Sequence, residues 1–371
     1  MLNTKKTHHA GHEPLIRIAK RDTIPLWESI AIRAAAILLA LVVCGFLIYA
    51  IVGLNPIQVY ISMFKGAFGS EKRIWVTLRD TMMLLCIGIG LAPAFKMRFW
   101  NIGAEGQILV GGIASAACML YLAKGTPNAV LLPLMFLLSA LAGALWAFLP
   151  ALFKAKWNTN ETLFTLMMNY VAIQLTSYFV AKWEHPFGSN SVGIINQTTK
   201  VGWFPAILGQ NYLLNLILVL SLAALMYGYL KYSKHGYEIS VVGESQNTAR
   251  YAGIRVGEVF IRTMLLSGAI CGVAGFLAVA GASHTISTDT AGGQGFTAII
   301  VAWLSKFNTG VMILVSMLLV FLDKGALEIA SAYNLNSFAS QMITGIILFF
   351  ILGCEFFIRY RVIFRGTHKE G

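Results

Sequence analysis

Three short stretches carry residues whose types and spacing suit work on a polar solute. The first, Phe99-Trp100-Asn101-Ile102-Gly103-Ala104-Glu105-Gly106-Gln107, sets a carboxylate between two amides on a glycine-rich turn joining two apolar runs. Glycines flanking a glutamate break a helix and expose backbone polar groups that hydrocarbon cannot satisfy. Such backbone persists at membrane depth only against protein or a water-filled cavity. An ionisable side chain there is by default a pathway or binding-site residue, so Asn101, Glu105 and Gln107 are candidates. Gly88, Gly90 and Pro93 upstream strengthen the case for a broken helix. The competing reading is an inner-face turn capped by Asn101, with Glu105 snorkelling to water.

The second stretch is Thr290-Ala291-Gly292-Gly293-Gln294-Gly295, whose Ala-Gly-Gly-Gln echoes Ala104-Glu105-Gly106-Gln107. Each follows a glycine-rich apolar span. With an odd number of spans between them the two segments run in opposite directions, as in inverted repeats whose broken helices build a central site. Gln294 is therefore a further pathway candidate, although a four-residue echo also arises by chance in a glycine-rich chain. The third stretch, Glu244–Ile254, forms about two helical turns from Glu244 to Tyr251, with Gly253 at the C-cap. Ala249 and Ala252 smooth one side of it. A short helix of this kind suits a partner's groove, with Glu244, Asn247, Arg250, Tyr251 and Gly253 as docking residues. The alternative is a linker helix lying on lipid headgroups.

The elements that position these stretches follow from composition. Of 371 residues, 57% are hydrophobic and only 12% charged, against roughly 25% charged in soluble domains. Disorder, a collagen-like chain and an ordinary cytosolic enzyme are excluded. Apolar runs at 30–53, 75–95, 106–123, 129–150, 162–182, 212–232, 261–282, 295–305, 309–332 and 337–358 make an all-α, polytopic membrane protein of about ten transmembrane helices. The run at 295–305 is short enough to be a half-helix. The net charge of +12 comes without a basic stripe interleaved with aromatics, so no nucleic-acid partner is expected. With the N-terminus inside, Lys and Arg favour the inner segments by about three to one. This predicts cytoplasmic tails at 1–29 and 359–371 around a transmembrane domain at 30–358. The outer loop is then 183–211 and the inner loop 233–262.

Other polar groups suit structural roles. Cys44, Cys86, Cys118, Cys271 and Cys354 lie in apolar stretches without a C-x-x-C pair, which suits buried packing thiols rather than a metal or disulfide framework. His8, His9 and His12 fit a solvated tail. Asp323, Lys324 and Glu328 fall in one span; Lys324 and Glu328 are spaced to pair, and either a proton relay or a structural pair fits. No G-x-x-x-x-G-K-[ST], H-E-x-x-H or G-x-S-x-G pattern is present, which weighs against ATP hydrolysis by the P-loop route and against protease or lipase chemistry.

Phe99–Gln107 resembles the "FNIGAEGQ" signature of permease subunits of bacterial ABC importers for nucleosides, within the branched-chain amino acid/simple-sugar permease superfamily. Asn160–Tyr170 is similar to the family's "NEV-x-x-TLM-x-NY" segment. Ala249-Arg250-Tyr251-Ala252-Gly253-Ile254 is similar to the "A-x-YAGI" end of its inner docking helix, and Gly295–Leu304 to its "GF/YxxIAVALL" segment. The order and spacing match over most of 75–310. Thr248, Asn308-Thr309 and the charged Asp323-Lys324 depart from the pattern.

The resemblance implies an import subunit of the bacterial cytoplasmic membrane with no catalytic residue, no metal site and no cofactor of its own. ATP and Mg are used by a separate cytoplasmic ABC ATPase. A second permease subunit and a solute-binding lipoprotein complete the set, with lipid around it. Carried over by position, Asn101, Glu105 and Gln107 line the translocation path, Asn169 is a further pathway residue, and Glu244–Ile254 meets the ATPase. The expected cargo is a nucleoside or related small polar solute. The alternatives are a simple-sugar permease and an ion-coupled transporter using buried acids such as Glu105 or Asp323.

Overall fold

The computed structural model describes residues 48–334 without interruption, Ile16–Lys20, Tyr360–Phe364, and scattered positions between 31 and 46 and between 342 and 353. Its helices are α1 (Pro56–Phe68), α2 (Glu71–Lys96), α3 (Ala104–Tyr121), α4 (Asn128–Trp157), α5 (Glu161–Lys182), α6 (Leu213–Tyr232), α7 (Lys234–Glu244), α8 (Gln246–Tyr251), α9 (Val256–Ala278), α10 (Gln294–Leu304) and α11 (Thr309–Ala332). Among the described residues, seven of these are long and apolar enough to cross a membrane: α2 to α6, α9 with its π-helical extension Val279–Ser283, and α11. The expected span at 30–53 carries a shorter apolar helix, Leu41–Ala50, and the expected span at 337–358 lies largely outside the described residues. The expected half-helix is α10, with 11 residues, about 16 Å at 1.5 Å per residue and too short to span.

Helix ends follow local chemistry. Ser70 caps α2 by accepting from the Arg73 N–H at 3.3 Å. Asn160 caps α5, accepting from Thr162 and Leu163 N–H at 3.0 and 3.2 Å. The α4–α5 turn passes through left-handed Asn158 and is tied by Lys154 and Glu161 at 3.0 Å.

Two expectations are corrected, and one helix is new. Pro93 does not break its helix; α2 runs through it to Lys96, and the break comes afterwards, at Met97–Gly103. Pro93 sits in the last turn, where its carbonyl still accepts from the Met97 N–H at 3.2 Å. α9 starts at Val256, inside the connection expected to run to Arg262. The connection between residues 53 and 71 contains α1, which turns Ile57, Ile61 and Phe64 outward and buries Val59 and Met63.

The chain divides into two compact units, Ala67–Phe321 and Met1–Gly66 with Leu322–Gly371. The first carries every candidate site residue, and α9 is its most enclosed span. α9 reads Gly268-Ala269-Ile270-Cys271-Gly272-Val273-Ala274-Gly275, the small-x-x-x-small spacing that lets membrane helices approach at backbone distance. Gly268 lies against Gly143, Gly272 against Ser139, and Phe276 against Phe136 at 6.1 Å, so α9 runs antiparallel to α4. On its other side Gly272 meets Gly111 and Gly275 meets Ile108. Cys86 and Cys271 are buried where α2 meets α9, and Cys44 and Cys118 are buried as well. By contrast α4, α5 and α6 leave most of their apolar surface outward, as lipid-facing helices do.

In the second unit, Gly325 of α11 packs on Met63, and Ser62 and Tyr333 hydroxyls lie 3.3 Å apart. Ile16–Lys20 (β1) pairs antiparallel with Tyr360–Phe364 (β2), in the register Ile16↔Phe364 to Lys20↔Tyr360. Two strands bonded in this way lie on one side of a membrane.

Candidate translocation site

Between α2 and α3 the chain is non-helical from Met97 to Gly103, passing through left-handed Arg98. Asn101 is fully buried in this turn. Its Oδ1 accepts from Gly103 N–H at 3.0 Å and from Gln107 Nε2 at 3.2 Å, and its Nδ2 donates to Ser267 Oγ on α9 at 3.2 Å. Asn101 and Gln107 thus form a closed amide pair that satisfies the turn's own backbone. Asn169 of α5 clamps the same turn from the other side. Its Oδ1 accepts from Gly106 N–H and its Nδ2 donates to Ile102 O, both at 2.9 Å. Thr165, one helical turn earlier, accepts from Ile102 N–H at 3.1 Å.

Glu105 reaches across to the second motif. Gly293 N–H donates to one carboxylate oxygen at 2.7 Å and Gly295 N–H to the other at 2.9 Å. These amides open α10, while Glu105 itself sits in the first turn of α3. Two helix N-termini, each equivalent to roughly half a positive charge, therefore converge on one carboxylate. Gly295 has no room for a side chain, since a Cβ there would lie 2.7 Å from the carboxylate. At its other end α10 returns toward the start of the first motif, where Trp303 stacks on Trp100 with ring centroids 5.3 Å apart. The segments 100–105 and 293–303 therefore run in opposite directions, in contact at both ends.

Of the five pathway candidates, Asn101, Gln107 and Asn169 come together on one turn, Glu105 bridges that turn to α10, and Gln294 sits between the two amides that hold Glu105. Gln294 Oε1 is buried without a hydrogen-bond partner among the described residues, as is Trp146 Nε1 beside Gly106. They supply one free acceptor and one free donor at the junction. Asp323 is exposed on α11, with Lys324 and Glu328 half-buried.

Ser267, Thr165 and the Gly293 and Gly295 amides were not singled out by sequence. Thr165 lies inside a recognisable segment, but nothing marks Ser267 among the small residues of α9. Replacing Asn169 by Ala leaves a buried N–H and a buried C=O unpaired at about 1–3 kcal/mol each. The Asn169→Ala protein should unfold at a clearly lower temperature in detergent. An unchanged midpoint would refute the clamp.

The inner loop is two helices rather than one. Ser245 breaks it in extended conformation and accepts from Thr248 N–H at 3.2 Å, starting α8 at Gln246 and leaving Glu244 at the end of α7. The C-cap expectation holds. Gly253 has φ +78°, and the bonds Gly253 N–H to Arg250 O and Ile254 N–H to Ala249 O close a Schellman motif. Ala249 points inward, into one buried apolar cluster with Met97, Phe99, Val242 and Phe260, while Ala252 is exposed. Glu244, Asn247, Arg250, Tyr251 and Gly253 face outward, with Tyr251 93% exposed.

A multi-pass helical protein whose interrupted helices meet over a buried polar turn has the architecture of a permease. The chain belongs to the family described as "Branched-chain amino acid transport system / permease component", which matches residues 74–352. It is 32% identical to the guanosine ABC transporter permease protein NupP of Bacillus subtilis, over 85% of this chain and 91% of that one. It is 27% identical to the nucleoside ABC transporter permease protein NupB of Lactococcus lactis, over 86% and 91%. It is also 29% identical to the glucose ABC transporter permease protein TsgB13 of Haloferax volcanii, over 94% and 93%. No solved structure matches the chain.

Proposed function

We propose that this chain is the transmembrane permease subunit of an ATP-driven importer for nucleosides or related small polar solutes. The observation that carries this reading is membership of the permease family combined with two nucleoside-permease relatives over most of the chain. Solute passes by alternating access near the junction of α3 and α10, where Gln294 Oε1 and Trp146 Nε1 offer polar contacts. A sugar cargo is the second reading, favoured by the near full-length similarity to the glucose permease.

Hydrolysis of ATP falls to a separate ATPase docked on α8, with a second permease chain and a solute-binding lipoprotein completing the importer. Both tails and α8 face the cytoplasm of a bacterial inner membrane. The charge bias of the loops supports this orientation, and the β1–β2 pairing supports tails on a common side. Coupling has a physical route. Ala249 and Phe99 share one apolar cluster, and Phe99 lies two residues from Asn101. A push on α8 therefore reaches the broken-helix turn through close-packed side chains, which move as a body rather than deform.

Arg250→Ala with Tyr251→Ala removes two exposed side chains, so the protein should fold normally and retain its thermal midpoint. ATP-driven uptake should fall to background while solute delivery to the outer face persists. Normal uptake would refute the docking assignment. Cargo is decided by the ATPase rate of the purified complex with its binding protein, comparing guanosine with glucose. Stimulation by glucose alone would transfer the assignment to sugars.

A further inference from the structure

At the end of α3 away from the broken turn, the connection 183–211 and the stretch that follows α9 enclose a cavity of about 280 Å³. The connection is tied down on three sides. Asn196 Nδ2 donates to Met119 O of α3 at 2.9 Å, Gly202 N–H to Asn128 Oδ1 of α4 at 2.7 Å, and Phe204 N–H to Ala280 O of the π-helical extension at 3.1 Å. The rings of Trp203, Phe204, Tyr212 and His284 line the cavity. Trp203 and His284 stack with centroids 3.7 Å apart and planes 3° from parallel, and Trp203 Nε1 donates to Ile195 O at 2.8 Å.

A pocket whose walls are already hydrogen-bonded in place needs little ordering to accept a ligand. Its volume suits one small solute and not a peptide. Ring walls favour a flat occupant, because stacking of a base on an aromatic side chain is strong and does not depend on which base is present. An aliphatic amino acid would leave these rings without that gain. Asn211 also lines the cavity and is exposed at its rim. Its amide both donates and accepts, as the hydroxyls of a ribose require.

We propose that this cavity is where the cargo is first received, with the base of a nucleoside against Trp203 and Tyr212 and its ribose at Asn211. The inference rests on the nucleoside reading above and adds a station on the outer side of the α3–α10 junction. The short segment from His284 to Gly293 connects the two. Within it Ile286 packs on Gly112 of α3. The stretch that walls the cavity thus continues into the amides that hold Glu105. Stacking on the outer rings selects a base-bearing solute before it reaches the junction.

The test is photolabelling with 8-azidoguanosine of right-side-out membrane vesicles that carry the full importer. Peptide mass spectrometry places the adducts, and uptake of guanosine and of glucose is measured on the same vesicles. Adducts should fall within residues 200–212 or at His284, and excess guanosine should suppress them while excess glucose does not. Trp203→Leu should label about tenfold less. Asn211→Ala, a change at an exposed position, should label about threefold less and keeps the test decisive if Trp203→Leu fails to fold. Guanosine uptake with adducts elsewhere, or with full labelling in Asn211→Ala, overturns this pocket and leaves the importer reading standing. Protection by glucose overturns the base-stacking assignment. Glucose uptake with neither guanosine uptake nor labelling overturns the cargo reading, and this inference with it.

Discussion

Gly272→Leu should abolish recovery of folded protein from the membrane. A Cβ at residue 272 would collide with the Ser139 carbonyl and lie 3.1 Å from the Gly143 Cα, and the same glycine abuts Gly111 on α3. Three helices share this point, so no single side chain can rotate away. Adding even one or two methylenes to a well-packed core costs about 1–3 kcal/mol, and a leucine here must separate α9 from both neighbours. Lipid supplies no compensating hydrophobic force between helices; close backbone packing holds them together. The control is Gly228→Ala on α6, where an added Cβ meets nothing within 4 Å. That change should be neutral or stabilising by up to about 1 kcal/mol from helix propensity. Monodisperse yield after detergent extraction and the thermal midpoint read both variants. Wild-type behaviour of Gly272→Leu would refute the packing of α9.

Glu105→Ala should produce the second large effect, on both stability and uptake. The variant loses two charge-assisted hydrogen bonds, worth about 1.5–3 kcal/mol each, and strands the Gly293 and Gly295 amides. It also removes the negative charge on which two helix N-termini converge, so α10 loses its anchor on α3. Glu105→Gln should be intermediate, because one carbonyl oxygen still accepts while the amide nitrogen opposes a backbone N–H. The pair of variants separates two roles for this residue. An anchoring carboxylate gives a lowered midpoint in both variants, with uptake falling in step. An ion-coupling acid would give Glu105→Gln normal stability, no uptake and, in the wild type, uptake that collapses with the ion gradient. The latter pattern would sink the anchoring assignment.

The signal for this architecture was uneven along the chain. Runs near 75–95, 106–123, 129–150, 162–182 and 212–232 were plain because a membrane span needs only about twenty apolar residues, a property of composition. α1 was missed because 13 residues with Lys65 on one side and an outward apolar face fall below that length. Pro93 misled because proline marks a helix end in water, whereas α2 carries it close to its own C-terminus. The polar connection from Ser233 reads as one short helix in sequence; Ser245 is a natural N-cap, and that signal divides α7 from α8.

Sequence alone determined the membrane class, pointed to a break around Phe99–Gln107 and a short apolar run at 295–305, and named Asn101, Glu105, Gln107, Asn169 and Gln294 as candidates. Residue types and their local spacing carry all of these. Only the tertiary structure decided what those residues touch. Glu105 and Gly293 are 188 positions apart, and the groups that hold the carboxylate are backbone amides. Every residue except proline has one, so no side-chain type announces the contact; folding selects the two N–H groups that face Glu105.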